Sequence, residues 1–211
     1  MPANELELYT TLEQVGEAEF EEKRSIFIGH AAPVKTEEEA MAFVKQIQKQ
    51  YADATHNVWA YLLNGGIVAR YSDDGEPQGS SGLPTLETIR KSGVSDAVVV
   101  TTRYFGGTLL GVGGLVRAYS HAAKIALEAA HIITYEKYAE LSVVCSYTDY
   151  QKIAAELPRF NALVADTDFA ENVTISFAVR KPLTDEVVTR LRELTSARSI
   201  PEVTGERFDY R

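Results

Sequence analysis

Hydrophobic and polar positions along the chain predict two successive α/β arrangements. The first apolar segment, EFEEKRSIFIGHAAPV, reads as a strand whose end Ile26-Phe27-Ile28 leads to Gly29 and Pro33. A helix should follow: Thr36 and Glu39 have capping-box spacing, and Ala40, Phe43, Val44, Ile47 and Tyr51 share one helical face. NVWAYLL and IVARYS, separated by Asn64-Gly65-Gly66, read as a hairpin, because Asn-Gly supplies the positive φ of a tight turn. Residues 72–84 concentrate loop formers, and Pro84 stands where a short helix through TLETIRKSG would begin. DAVVVTTRYF is a continuous apolar run, expected of a strand buried on both faces and, here, of a mixed sheet. The glycine-rich GGTLLGVGG then precedes an alanine-rich helix, LVRAYSHAAKIALEAAH.

The rhythm resets near Thr134. The second half reads strand (YAELSVVCSY), helix (TDYQKIAAELP, capped by Thr148), strand (ALVADTDFA), strand (NVTISFAVRK), helix (TDEVVTRLRELTS, capped by Thr184) and strand (EVTGERFDYR). That β-α-β-β-α-β order is the split βαβ of ferredoxin-like domains. The expected class is therefore α+β, with domains at 1–134 and 135–211 joined by a short connection.

Composition adds little to this and charge adds more. Hydrophobic residues make up 45% and charged residues 24%, ordinary for folded domains, and a chain of 211 residues is comfortable as two domains. The net charge is −9, but residues 1–39 carry ten glutamates against Lys23, Arg24 and Lys35, so the remainder is nearly balanced. A local cationic site is compatible with that distribution; a broad basic surface for nucleic acid is not evident. The start of the chain lacks the pattern of a secretory signal and no stretch has the length of a membrane span, which predicts a cytoplasmic protein without a membrane. The single cysteine, Cys145, lies in an alternating run and is expected to be a buried strand thiol.

Three polar segments stand out as candidate chemistry: Thr55-His56-Asn57, Ser72-Asp73-Asp74-Gly75-Glu76-Pro77, and Arg103-Tyr104-Phe105-Gly106-Gly107 with Gly111 to Arg117. Gly113 and Gly114 directly before a helix would leave unpaired N–H groups at its positive end, flanked by Arg103 and Arg117, which suits an anion. The same glycines also serve a plain tight strand-to-helix connection. The run is neither a Walker A motif nor a dinucleotide fingerprint. Asp73, Asp74 and Glu76 invite a metal reading, yet they lack EF-hand spacing, and adjacent aspartates point apart; side-chain-to-backbone bonds within the loop are the expected role. His56, beside Asn57, has the most promising setting of the four histidines. His30 follows a strand, and His121 and His131 fall in the alanine-rich helix. Ser80-Ser81 does not form a nucleophile elbow. No catalytic residue, metal or cofactor is assigned.

These segments also carry a family likeness. SIFIGHAAPV, ATHNVWAYLL, YSDDGEPQGSSGLPTLETI and VVVTTRYFGGTLLGVGGLVRAY resemble, in order, the four signature blocks of the YigZ/IMPACT family, departing from them at Ile26 and at Ser80-Ser81. The resemblance implies that the first domain shares the fold of a small-subunit ribosomal protein domain, domain IV of elongation factor G and the GHMP kinases. It implies a second domain similar to domain V of that factor. Eukaryotic members regulate translation initiation by competing for an activator of a starvation-responsive initiation-factor kinase, through an extra N-terminal domain outside these blocks. The resulting expectation is a translation-associated binding protein that contacts RNA, the ribosome or a regulatory protein. Its expected site residues are Arg103, Gly106, Gly107, Gly113, Gly114, Arg117, His56, Asn57, Asp73, Asp74 and Glu76. The alternatives are a small phosphate-ligand enzyme and a protein-interaction module without nucleic acid.

Overall fold

The structure is a computed structural model that describes residues 8–210. Contacts divide it into two units, one spanning Tyr9–Thr134 and the other running on from Tyr135. In chain order the elements reaching the first unit are β1 (Leu8–Leu12), β2 (Gly16–Glu22), β3 (Ser25–Pro33), α1 (Glu37–Gln50), β4 (His56–Leu63), β5 (Val68–Ser72), α2 (Gly82–Lys91), β6 (Ala97–Tyr104) and α3 (Val112–Ala129). The five strands β2-β3-β6-β4-β5 form a sheet in that order. Every pairing in it is antiparallel, so the expectation of a mixed sheet is corrected. The apolar run of β6 has another cause. Val98 and Val100 face Val44 and Ile47 of α1, while Ala97 and Val99 face Ile89 of α2 and Ala126 of α3. Helices on both faces bury a central antiparallel strand as fully as a parallel one.

The segment expected as a single strand is instead the hairpin β2–β3, and it turns at Lys23 and Arg24, both with positive φ (48° and 67°). The turn has the backbone of a type I′ turn without the Asn or Gly that usually signals it. Helix α1 starts as anticipated: Thr36 Oγ1 accepts from the Glu39 N–H (3.2 Å), while Glu39 Oε2 accepts from Lys35 N–H (2.7 Å). Helix α3 begins earlier than expected. Its N-cap is Gly111, so Gly113 and Gly114 lie inside the first turn, and it ends at Ala129, which leaves His131 beyond it with φ 56°. Along α3 the stripe Ala118, Ala122 and Ala126 is small enough for β3 to approach closely. A Cβ on Gly29 would sit 2.5 Å from the Ala122 carbonyl oxygen.

The strand β7 (Ile132–Cys145) carries the chain from the first unit into the second. The second unit adds α4 (Tyr147–Glu156), β8 (Leu163–Phe169), β9 (Val173–Arg180), α5 (Thr184–Leu194) and β10 (Glu202–Tyr210). Its strands lie in the order β10-β7-β9-β8, all antiparallel, which is the ferredoxin-like arrangement. Leu141, Val143, Ile175 and Phe177 pack against Ile153 of α4, Leu157 directly after it, and Val187 and Leu191 of α5. Cys145 is a buried free thiol in this core. Two caps differ from expectation. Ser146, not Thr148, accepts from the third residue of α4, and Thr184 is the first residue of α5, with Leu183 at the cap. The hydroxyl that caps α4 thus stands two positions before the expected one, and α5 starts without a side-chain cap.

Candidate functional site

The loop after β5 is organised by one carboxylate. Asp73 Oδ1 accepts from the N–H groups of Ser81 (3.1 Å) and Gly82 (2.8 Å) and from the Ser81 hydroxyl (2.7 Å), and Oδ2 accepts from Gly79 N–H (2.8 Å). Burial works against its charge, but these bonds together outweigh it and hold the carboxyl below the usual range. Asp74, in the left-handed region, points the other way. Its Oδ2 accepts from Asn57 N–H (2.6 Å) and its carbonyl faces His56 Nδ1 (2.7 Å). Asn57 is itself fixed, donating from Nδ2 to the Tyr51 carbonyl (3.2 Å) and accepting from the Thr102 hydroxyl (2.8 Å). Among the described residues no group of three or more His, Cys, Asp or Glu side chains is placed to hold a metal ion.

The next residue, Glu76, turns inward and is the hub. Its Oε1 accepts from Arg103 Nη1 (2.5 Å) and from the Tyr119 hydroxyl (2.8 Å), with His56 Nε2 3.8 Å away. A carbonyl only accepts, so the bond to Asp74 places the proton of His56 on Nδ1 and turns Nε2 toward the carboxylate. Arg103, expected beside an external anion, is 4% exposed, and its charge is met inside the protein. Its guanidinium lies over the rings of Phe27 (5.3 Å) and Phe105 (5.4 Å), and Nη2 reaches Ser25 Oγ (3.3 Å). Among the described residues its Nε has no hydrogen-bond partner. Burial, and after it the Glu76 carboxylate, pushes the Tyr119 hydroxyl far above its ordinary pKa.

The glycine loop rests on this hub. Gly106 N–H donates to the same Ser25 Oγ (3.1 Å), and a Cβ there would lie 2.0 Å from the backbone of Arg24. Gly107 and Gly111 take positive φ (81° and 72°), with open space where a Cβ would stand. Arg24 Nη2 donates to Thr108 Oγ1 (2.9 Å), so the β2–β3 turn and the loop are tied together. The first N–H groups of α3, through Gly114, have no acceptor inside the helix. Gly113 is exposed, and the exposed Arg117 folds back over it, with Nη1 3.8 Å from where a Cβ would be.

The structure thus brings His56, Asn57, Asp74, Glu76 and Arg103 into one network. Asp73 lies at the base of its loop, Gly106 lies beside the network through Ser25, and Gly107, Gly113, Gly114 and Arg117 lie outside it, all but Gly114 exposed. Sequence reasoning missed Tyr119, Ser25 and Phe27. Tyr119 offered a signal: it is the only hydroxyl-bearing residue on the buried alanine-rich stripe of α3.

The profile of the Impact N-terminal domain matches residues 23–127, and that of a domain of unknown function, DUF1949, matches residues 143–198. The chain is 35% identical over 195 residues to IMPACT family member YvyE of Bacillus subtilis, covering 92% of this chain and 90% of that one. It is 31% identical over 176 residues to IMPACT family member YigZ of Escherichia coli, covering 82% and 86%. A Dictyostelium discoideum protein described as "Protein IMPACT homolog" is 41% identical over 95 residues, 27% of its length. A solved structure titled "Crystal structure of an hypothetical protein" aligns with a TM-score of 0.59 at 28% identity, covering 95% of this chain and 98% of that one.

Proposed function

The chain belongs to the IMPACT family, and on that premise we propose that it is a translation-associated binding protein whose first unit holds a phosphate of RNA, free or on the ribosome. The contact is the start of α3. One observation carries this reading: Arg117 is exposed above the exposed Gly113 at an open helix start, and among the described residues no carboxylate is paired with it. Unpaired N–H groups, the positive helix end and a guanidinium converge there. The buried network anchors α3 through Tyr119 and does not itself meet the ligand.

A site of this size takes one or two phosphates, so the salt dependence of binding should be shallow, with a slope of about 1 to 2 in log–log form. Co-sedimentation with ribosomes over a salt series tests the reading. Arg117→Ala should weaken association several-fold at low salt and leave the melting temperature unchanged. Association that ignores both salt and Arg117 would place the contact elsewhere and favour a protein partner.

A further inference from the structure

The second unit carries a surface independent of the first unit's site. Strand β8 is the outer strand of the ferredoxin-like sheet, pairing with β9 on one side. Among the described residues its other edge has no partner strand, so its backbone donors and acceptors there are open. A bulge at Ala165 resets its alternation, so that Val164, Thr167 and Phe169 face the helix side while Asp166 and Asp168 face the other. Elsewhere on this sheet the helix-side residues Val173, Ile175 and Phe177 are buried, but Val164 is 53% and Phe169 54% exposed. Helix α4 covers them incompletely, meeting Phe169 through Tyr150 and leaving a gap over Val164. The gap is a groove of about 110 Å³ lined by Tyr150, Leu157, Pro158, Ala162, Val164 and Thr167.

The rim of this groove is fixed in advance. Tyr147, 52% exposed, donates from its hydroxyl to the Ala170 carbonyl (2.8 Å), and Phe169 meets Tyr150 edge-on at 5.2 Å. Charge along β8 and the turn after it is one-sided: from Phe160 to Thr174 the chain carries Asp166 and Asp168 on the opposite face, Glu171 in the turn, and no Lys or Arg. We propose that β8 and its groove bind an extended segment of a partner protein in which apolar and basic residues alternate. Such a segment adds a strand to the edge, seats its apolar side chains in the groove beside Val164 and Phe169, and sets its cations against Asp166 and Asp168. A second copy of this chain is a poor occupant, because pairing β8 with itself opposes carboxylate to carboxylate. The bulge and the two aspartates also discourage indiscriminate strands, as edge strands commonly do.

The test uses the full chain with two synthetic ten-residue peptides, one alternating lysine and valine and one alternating glutamate and valine. Binding is read by fluorescence titration and by hydrogen exchange of the 163–169 amides. The lysine peptide should bind and protect those amides, and the glutamate peptide should not. In the Asp166→Lys/Asp168→Lys variant the lysine peptide should lose about tenfold in affinity and the preference should invert. Val164→Ser, at an exposed position, should weaken binding at unchanged melting temperature. The proposal fails if neither peptide binds, if both bind equally, or if protection appears outside β8. Concentration-dependent protection without peptide would assign the edge to a second copy and also overturn it.

Discussion

Replacing Arg103 with alanine separates a brace from a ligand contact. The side chain is buried and its Nη1 is bound to the equally buried Glu76, so truncation leaves a carboxylate in the interior with Tyr119 as its remaining direct donor. Removing one partner of a buried ion pair typically costs about 3–5 kcal/mol, because the other charge is left uncompensated. For a unit of this size that corresponds to a fall in melting temperature of roughly 10–20 °C. Loss of the guanidinium between Phe27 and Phe105 acts in the same direction. Arg103→Met combined with Glu76→Gln removes both charges and should recover most of that loss. Calorimetry or circular dichroism of the three proteins, with ribosome association measured on each well below its transition, gives the answer. A melting temperature within about 2 °C of the wild type for Arg103→Ala, together with lost association, would refute the brace and make Arg103 a direct ligand.

The remaining expectations are simpler. Gly106→Ala would force a Cβ into the Arg24 backbone at 2.0 Å, and overpacking of this kind costs about 1–3 kcal/mol, measurable by denaturant titration. Asp149 accepts a forked pair of bonds from Arg198 (3.0 and 2.9 Å), which outweigh burial and hold its carboxyl at about 2. A depressed carboxyl stabilises the fold above its unfolded pKa of about 3.9, and that contribution is lost as pH falls toward 2, so Asp149→Asn should unfold at a less acidic pH and show a flatter acid transition. Residues 9–134 expressed alone should fold and melt cooperatively by circular dichroism; an unfolded product would mean that the first unit depends on the second.

Helices and strands with long apolar periods were legible from sequence, including α1 with its Thr36 cap and the ferredoxin-like order of the second unit. Three features were not. The β2–β3 turn has Lys23 and Arg24 in left-handed conformations, which only the pairing of the two strands enforces. The first turn of α3 contains Gly113 and Gly114, poor helix formers; at Gly114 a Cβ would crowd Leu110 (2.9 Å), while at Gly113 there is room for one. Gly111 and not the glycine pair sets the boundary. Within the candidate site, the polar segments were visible but their wiring was not. Glu76 meets partners 27 and 43 positions away, and Ser25 meets Arg103 at a separation of 78, distances over which no local pattern carries information.

The alanine seam of α3 restricts where new activities can arise in this fold. With the Ala122 carbonyl packed against the backbone of Gly29, even one added methyl at that position forces helix and strand apart. Any change in what the domain recognises must therefore accumulate at strand ends, turns and the helix start. A mutational map of the protein should accordingly show an intolerant interior even to the smallest additions, ringed by a permissive margin in which substitutions alter recognition while the architecture stays intact.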